Sequence, residues 1–270
     1  MASNNIEAAD GEKVDKAMAE ISKGNFSAAK SLLLSVVRNT PSEYFHQTSN
    51  PDGSLVIRFW DQQEFIHYVN WKKPDRKIFW NVAAYPRAYF YLGFIGVAEH
   101  DYQAALSYLD KALELEPTNP KIFIEKAQAL LGMKRQVEAL RLFEKISEIG
   151  PFTSGADVAR ALRGRGFALI ELGKLDEAKA VLLKSLEFDP DSKVAKEELS
   201  YIAQLKGNAM AAKTSVRIDT VTTSGRDMTV CVVCGDKVTQ GKIVDTKGTP
   251  GLVCEKCEKK ASKKSWQFWK

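Results

Sequence analysis

HDYQAALSYLDKALELEP, residues 100–117, is a pattern that this 270-residue chain repeats. It returns as KRQVEALRLFEKISEIGP at 134–151 and as GKLDEAKAVLLKSLEFDP at 173–190. In each copy an alanine (Ala105, Ala139, Ala178) is followed four positions on by a large apolar residue (Leu109, Phe143, Leu182) and twelve positions on by a proline (Pro117, Pro151, Pro190). An earlier copy, GNFSAAKSLLLSVVRNTP at 24–41, places Ala29, Leu33 and Pro41 at the same offsets. Ala105 and Ala139 lie 34 residues apart, and Ala178 follows after 39, which is 34 plus a five-residue insertion in FTSGAD. Self-similarity at this period means a helical hairpin that cannot bury its apolar side alone and stacks on copies of itself. The small alanine lets two helices approach closely. Proline stops the second helix, because it lacks an N–H and clashes with the preceding turn.

On these residues the chain resembles the tetratricopeptide repeat family, over roughly 150 residues. The first helices fit unevenly. Tyr89, Leu92 and Gly93 follow the aromatic-then-Leu-Gly pattern of that family. Phe123 and Ala127 fit the next copy, with Lys126 in the leucine position; Leu162, Gly166 and Leu169 fit the third, with Arg165 there. In the earliest copy only Ala17 fits, beside Lys13, Lys16 and Glu20. The expected fold is mainly α: a tetratricopeptide-type α-solenoid followed by a small α+β zinc module. The expected organisation is a diverged helical hairpin at 1–41, an aromatic-rich insertion at 42–84, three repeats with a closing helix at 85–206, a polar linker at 207–228 and a four-cysteine module at 229–270.

The resemblance also implies a concave face, lined by the first helix of each pair, along which a peptide lies. Carried onto this sequence, that face holds Arg87, Phe90 and Phe94, then Lys121, Ile124 and Gln128, then Arg160, Arg163 and Phe167. Cations beside apolar anchors suit an extended acidic segment, since the arginine fork can meet carboxylate at two points. The Lys/Asn pattern of chaperone-tail-binding repeats is not reproduced: Phe90 and Phe94 stand in those places. The competing reading is that the phenylalanines pack between helices and the arginines are solvated.

The stretch 42–85 is rich in aromatics: Tyr44, Phe45, Phe59, Trp60, Phe65, Tyr68, Trp71, Phe79, Trp80 and Tyr85. Asn50–Gly53 (NPDG) is a turn signal. Residues 54–60 alternate like a strand, Asp61 and Glu64 form a capping pair for a short helix through Tyr68, and Pro74 ends it. The aromatics read either as a satellite core on the repeats or as a binding surface.

Near the C-terminus Cys231 and Cys234, then Cys254 and Cys257, form two C-x2-C pairs with 19 residues between them, and the chain has no other cysteine. Two thiolates on each of two tight turns complete a tetrahedron around Zn2+, and Gly235 supplies the φ freedom such a turn needs. Four sulfurs leave zinc no open position, so one structural ion is expected, contributing roughly 10–16 kcal/mol to the folding of a module with little core. A thioredoxin-like redox pair would need a βαβ pattern around it, which is absent. Val238, Ile243, Val244, Leu252 and Val253 read as strand residues separated by turns at Gly241 and 247–251, and 258–270 suits a helix. The pattern resembles the treble-clef and zinc-ribbon group.

Charge concentrates at this end. Residues 213–270 carry 12 Lys+Arg against 6 Asp+Glu, while the other residues carry 27 against 28. Lys256, Lys259, Lys260, Lys263 and Lys264 precede Trp266, Phe268 and Trp269, a combination that can serve nucleic acid through phosphate neutralisation and stacking, or can self-pack. The acidic N-terminus has no signal-peptide core and no apolar run is long enough to span a membrane, so a cytoplasmic protein is expected. No phosphate-cradling loop or nucleophile signature appears. Gly164-Arg165-Gly166 lacks a third glycine, and His46, His67 and His100 are scattered. The expected function is therefore that of a non-enzymatic adaptor whose groove holds a protein and whose zinc module makes a second contact. The alternative is a nucleic-acid-associated factor in which the basic zinc module touches DNA or RNA and the repeats recruit a protein.

Overall fold

The computed structural model describes residues 2–215, 241–245 and 250–254, with side chains for 6–207. The chain divides into two compact units, 1–191 and 192–270.

The first unit holds four helical hairpins. They are α1 (Ala2–Ser22) with α2 (Phe26–Val37), α4 (Ala84–Ala98) with α5 (Tyr102–Leu115), α6 (Pro120–Gly132) with α7 (Gln136–Glu144), and α8 (Gly155–Glu171) with α9 (Leu175–Phe188). A short helix, α3 (Gln62–Lys72), belongs to the insertion between the first two hairpins. The repeated sentences begin at the turn inside each hairpin. Their first residues, Gly24, His100, Lys134 and Gly173, all have positive φ, between 61° and 77°. Each turn closes with the same long bond: Asn25 N–H to Glu20 C=O, Asp101 to Gly96, Arg135 to Leu130 and Lys174 to Leu169, at 2.8–2.9 Å. This is the left-handed C-terminal stop of a helix. Glycine adopts it freely, whereas His100 and Lys134 do so at some cost.

The repeated alanines and their partners form the core. Ala29, Ala105, Ala139 and Ala178 are fully buried, as are Leu33, Leu109 and Leu182, with Phe143 nearly so. Close approach explains the small residues on the facing helices. A Cβ on Gly93 would lie 2.5 Å from Leu109 Cγ, and one on Gly166 would lie 2.6 Å from Leu182 Cγ. The earliest copy, weakest in sequence, joins the stack: Val14, Ala17, Ala29, Leu33 and Val36 share one cluster with Tyr85, Ala88, Leu92 and Ile95 of α4.

The insertion forms a three-stranded sheet, β1 (Gln47–Ser49), β2 (Leu55–Phe59) and β3 (Ile78–Val82), in that order. β1 and β2 are antiparallel around the Asn50–Gly53 turn, and β3 runs parallel to β2 after the α3 crossover. Asp61 caps α3, accepting from Glu64 N–H at 2.8 Å. The reciprocal half of the expected capping box differs: the Glu64 carboxylate accepts from Trp60 N–H at 2.6 Å, one residue before the cap. α3 also runs past Tyr68 to Lys72, and β3 is a strand that alternation did not announce. The aromatics divide. Phe59 and Tyr68 form an inner cluster with Leu55 and Ile57, and Phe65 and Phe152 pack against it. Phe45, Trp71, Phe79 and Trp80 are exposed.

In the second unit, α10 (Lys193–Ser215) starts with Ser192 accepting from Ala195 N–H at 3.3 Å. It continues nine residues past Lys206, the end expected from sequence, into an alanine-containing stretch without proline. β4 (Gly241–Asp245) and β5 (Pro250–Cys254) form an antiparallel hairpin in which Gly241 pairs with Cys254. Cys231, Cys234 and Cys257, the basic and aromatic tail and most of the linker lie outside the described residues.

Candidate functional site

The first helices α4, α6 and α8 carry the residues assigned to the concave face, and the structure sorts them into three groups. Arg87 and Phe90 of α4 and Ile124 of α6 are interior, at 5%, 6% and 0% exposure. Arg87 donates to Asp15 of α1 at 2.5 Å. Phe94 is half-buried against the cluster shared by α1, α2 and α4. Lys121, Gln128, Arg160, Arg163 and Phe167 remain partly open to solvent.

Arg87 is enclosed by α1, through Asp15 and Met18, and Trp60 accounts for Phe90 and Ile124. Its ring, at the end of β2, packs edge-on against Phe90 with centroids 5.0 Å apart, and it shares a buried cluster with Phe90 and Ile124. The Lys121 ammonium sits 5.1 Å from the indole centroid and 3.8 Å from Asp61 Oδ2. The indole N–H donates to Glu116 Oε2 at 2.8 Å, in the turn between α5 and α6. At the far side of the insertion, His67 Nε2 lies 2.7 Å from the Gly150 carbonyl, and Phe152 meets Phe59, Tyr68 and His46. The insertion is thus fastened to the repeats at both ends and fills the face at Phe90 and Ile124. Pattern reading missed this because Trp60 looks like any strand aromatic; its partner Phe90, in place of the polar residue of the family pattern, was the available signal.

Buried acids underlie the seam. Burial pushes the Glu64 carboxyl up to about 7, opposed by Lys121 and by the Trp60 N–H bond. Glu116 accepts from Trp60 and from Asn119 Nδ2 (2.7 Å) through one oxygen. Its other oxygen has no hydrogen-bond partner among the described residues; His46 Nδ1 stands 3.5 Å away without an aligned bond.

Along α6 and α8 the face is part-exposed among the described residues. Glu125 is buried and accepts from Arg160 Nη2 at 3.1 Å. Burial raises its carboxyl, and Arg160 works against that rise. Arg163 donates to Asp189 at 2.8 Å. Both guanidiniums are therefore held in place with donors to spare. One helical turn on from Glu125, Gln128 Nε2 is shielded from solvent and has no acceptor among the described residues.

Models of the tetratricopeptide repeat match residues 97–163 and 159–192. Those residues are tetratricopeptide repeats. Outside that span, α1 and α2 pack on α4 in the same stack. Protein STIP1 homolog of Dictyostelium discoideum is 26% identical over 107 residues, covering 40% of this chain and 18% of its own length. Small glutamine-rich tetratricopeptide repeat-containing protein 2 of Mycosarcoma maydis is 31% identical over 100 residues, covering 37% of this chain and 27% of its own length. The likeness therefore spans about a quarter or less of these relatives. Among solved structures, Pseudomonas aeruginosa pilF is similar at a TM-score of 0.54 and 15% identity, covering 79% of this chain and 75% of that one. That likeness concerns the tetratricopeptide-type solenoid alone. Among the described residues no helix is long and apolar enough to cross a membrane.

Proposed function

We propose that this protein is a non-enzymatic interaction adaptor whose open repeat face, α6 and α8, receives an extended acidic segment of a partner protein. Gln128 carries the reading. A shielded amide N–H without an acceptor is uncommon in a folded chain, and a peptide carbonyl lying along the face would supply the missing oxygen. Arg160 and Arg163, held by Glu125 and Asp189, present forked donors to carboxylates on the same segment. Lys121 marks the end of the open face, where Trp60 closes it.

The test is capture of partners from a lysate by the 270-residue chain and by the Arg160→Gln/Arg163→Gln variant. Glutamine keeps a donor toward Glu125 while removing the charge. Loss of acidic partners from the variant supports the reading; an unchanged set sinks it.

The second contact of the adaptor is, on this reading, a module around one structural Zn2+ held by Cys231, Cys234, Cys254 and Cys257. The donor set suits zinc, and β5 ends on Cys254, as a hairpin leading into the second cysteine pair would. A nucleic-acid contact through its lysines is the alternative use of the same module; binding that weakens steeply with salt would mark it.

A further inference from the structure

Strand β3 ends the insertion's sheet, and one of its long sides has no neighbouring strand among the described residues. The pairing with β2 decides which groups face that side. Leu55 N–H donates to the Lys77 carbonyl at 2.9 Å, and Ala83 N–H donates to the Phe59 carbonyl at 3.1 Å. In a parallel ladder alternate residues bond to the same neighbour. Phe79 and Asn81 therefore turn both backbone groups toward β2, and Ile78, Trp80 and Val82 turn theirs away. α1 meets the strand at Val82, where Gly11 lies against its side chain. The outward groups of Ile78 and Trp80 make no backbone hydrogen bond to another described residue.

Natural edge strands are blunted by proline, inward charge or a bulge. Residues 78–82, Ile-Phe-Trp-Asn-Val, have none of these, and their register with β2 is unbroken. Phe79 and Trp80 are each 41% exposed. The segment entering the strand is basic: Lys72, Lys73, Arg76 and Lys77 face solvent with Asp75 the one acid among them. Lys77 also lies over the Phe79 ring at 4.4 Å.

We propose that β3 is a docking edge on which an extended segment of an acidic partner protein adds as a fourth strand, its backbone bonding to Ile78 and Trp80 and its carboxylates meeting the 72–77 cations. Charge selects this occupant. A second copy of β3 brings Asp75 as its one carboxylate in 72–83, and the chain's own residues 213–270 carry a basic excess. The edge is separate from the α6–α8 face, so the two proposals stand or fall independently.

Fluorescence anisotropy of the 270-residue chain with two labelled ten-residue peptides tests it. Both alternate valine and threonine; one carries three glutamates at its N-terminal end and the other at its C-terminal end. One of the two should bind, which also reports strand direction, and amide exchange at Ile78 and Trp80 should slow. Arg76→Glu/Lys77→Glu should weaken binding by at least about tenfold. Trp80→Pro should do the same, since it removes an outward N–H and leaves the ladder to β2 intact. In Arg160→Gln/Arg163→Gln the slowing of exchange at Ile78 and Trp80 should persist, since those residues lie on the separate β3 edge. Binding no tighter than that of lysine-substituted peptides overturns the proposal, as does loss confined to the Arg160/Arg163 variant. A concentration-dependent dimer in sedimentation, abolished by Trp80→Pro, overturns it in favour of a second copy. If circular dichroism shows Trp80→Pro unfolded, the exposed charge-reversal pair decides.

Discussion

Trp60 Nε1 donates to Glu116 Oε2 at 2.8 Å across 56 residues of sequence, joining the end of β2 to the turn between α5 and α6. The same indole rests on Phe90 and under Lys121. Replacing it with alanine empties a packed site and leaves a buried carboxylate short of a donor. Trp60→Ala should cost about 3–5 kcal/mol. Trp60→Phe, which keeps a ring and loses the N–H, should cost about 1–3 kcal/mol. Thermal melts give the cost. Amide exchange should show faster opening in 42–83 for the alanine variant; equal protection in all three proteins would contradict the anchoring role.

Glu64 makes that seam sensitive to pH. Its carboxyl is raised to about 7 in the folded chain from an ordinary 4.5, chiefly by burial, so the folded state binds a proton more tightly than the unfolded one. The stabilising contribution is then full below about 4.5 and is lost as pH rises through about 7. Unfolding free energy should fall over that window by an amount approaching about 3 kcal/mol from this group. Lys121 on α6 and the neighbouring acids Asp61 and Glu116 face it. In Glu64→Gln the decline should flatten, which denaturant melts at pH 5 and pH 8 would measure.

Helix contacts within the repeats should respond in opposite directions to two glycine exchanges. Gly166→Ala places a methyl 2.6 Å from Leu182 Cγ and should cost about 1–3 kcal/mol. Leu182→Ala in the same chain should recover part of that loss, as expected for residues in contact. Lys134, with φ 61°, is a lysine where two sister repeats have glycine. Lys134→Gly should stabilise by about 0.5–1 kcal/mol, its long ion pair to Glu171 at 3.7 Å contributing little. Melting temperature decides both.

The four cysteines predict metal. Elemental analysis of the purified chain should give one zinc per molecule, and alkylation of the cysteines should be slow until a chelator is added. Cys254→Ser should abolish zinc retention while leaving the melt of residues 1–191 unchanged. A stoichiometric zinc content in Cys254→Ser would remove that residue from the ligand set.

Legibility followed the range of the interactions. The stacked helical hairpins and the close approach of helices at the repeated alanines were readable because each hairpin solves the same local packing problem, and four copies of the solution stand in one chain. Asp61 as a helix cap was readable for the same reason: its partner, Glu64 N–H, is three residues away. The first hairpin read poorly, since Lys13, Lys16 and Glu20 obscure its pattern, yet Val14 and Ala17 suffice to seat it on α4. β3 was missed because its exposure does not alternate: the adjacent Phe79 and Trp80, on opposite faces, are both exposed.

Local spacing alone, then, determined the hairpin stack and the Asp61 cap, because helix period and capping chemistry act over a few residues. Which part of the repeat face is available was decided by tertiary structure. Trp60 reaches Phe90, Ile124 and Glu116 only when β2 is folded against the repeats, and burial of an indole depends on what the distant chain brings to it. Packing of α1 on α4 likewise turned Arg87 inward, Arg160 and Arg163 stayed part-exposed, and β3 was left without a second neighbouring strand among the described residues.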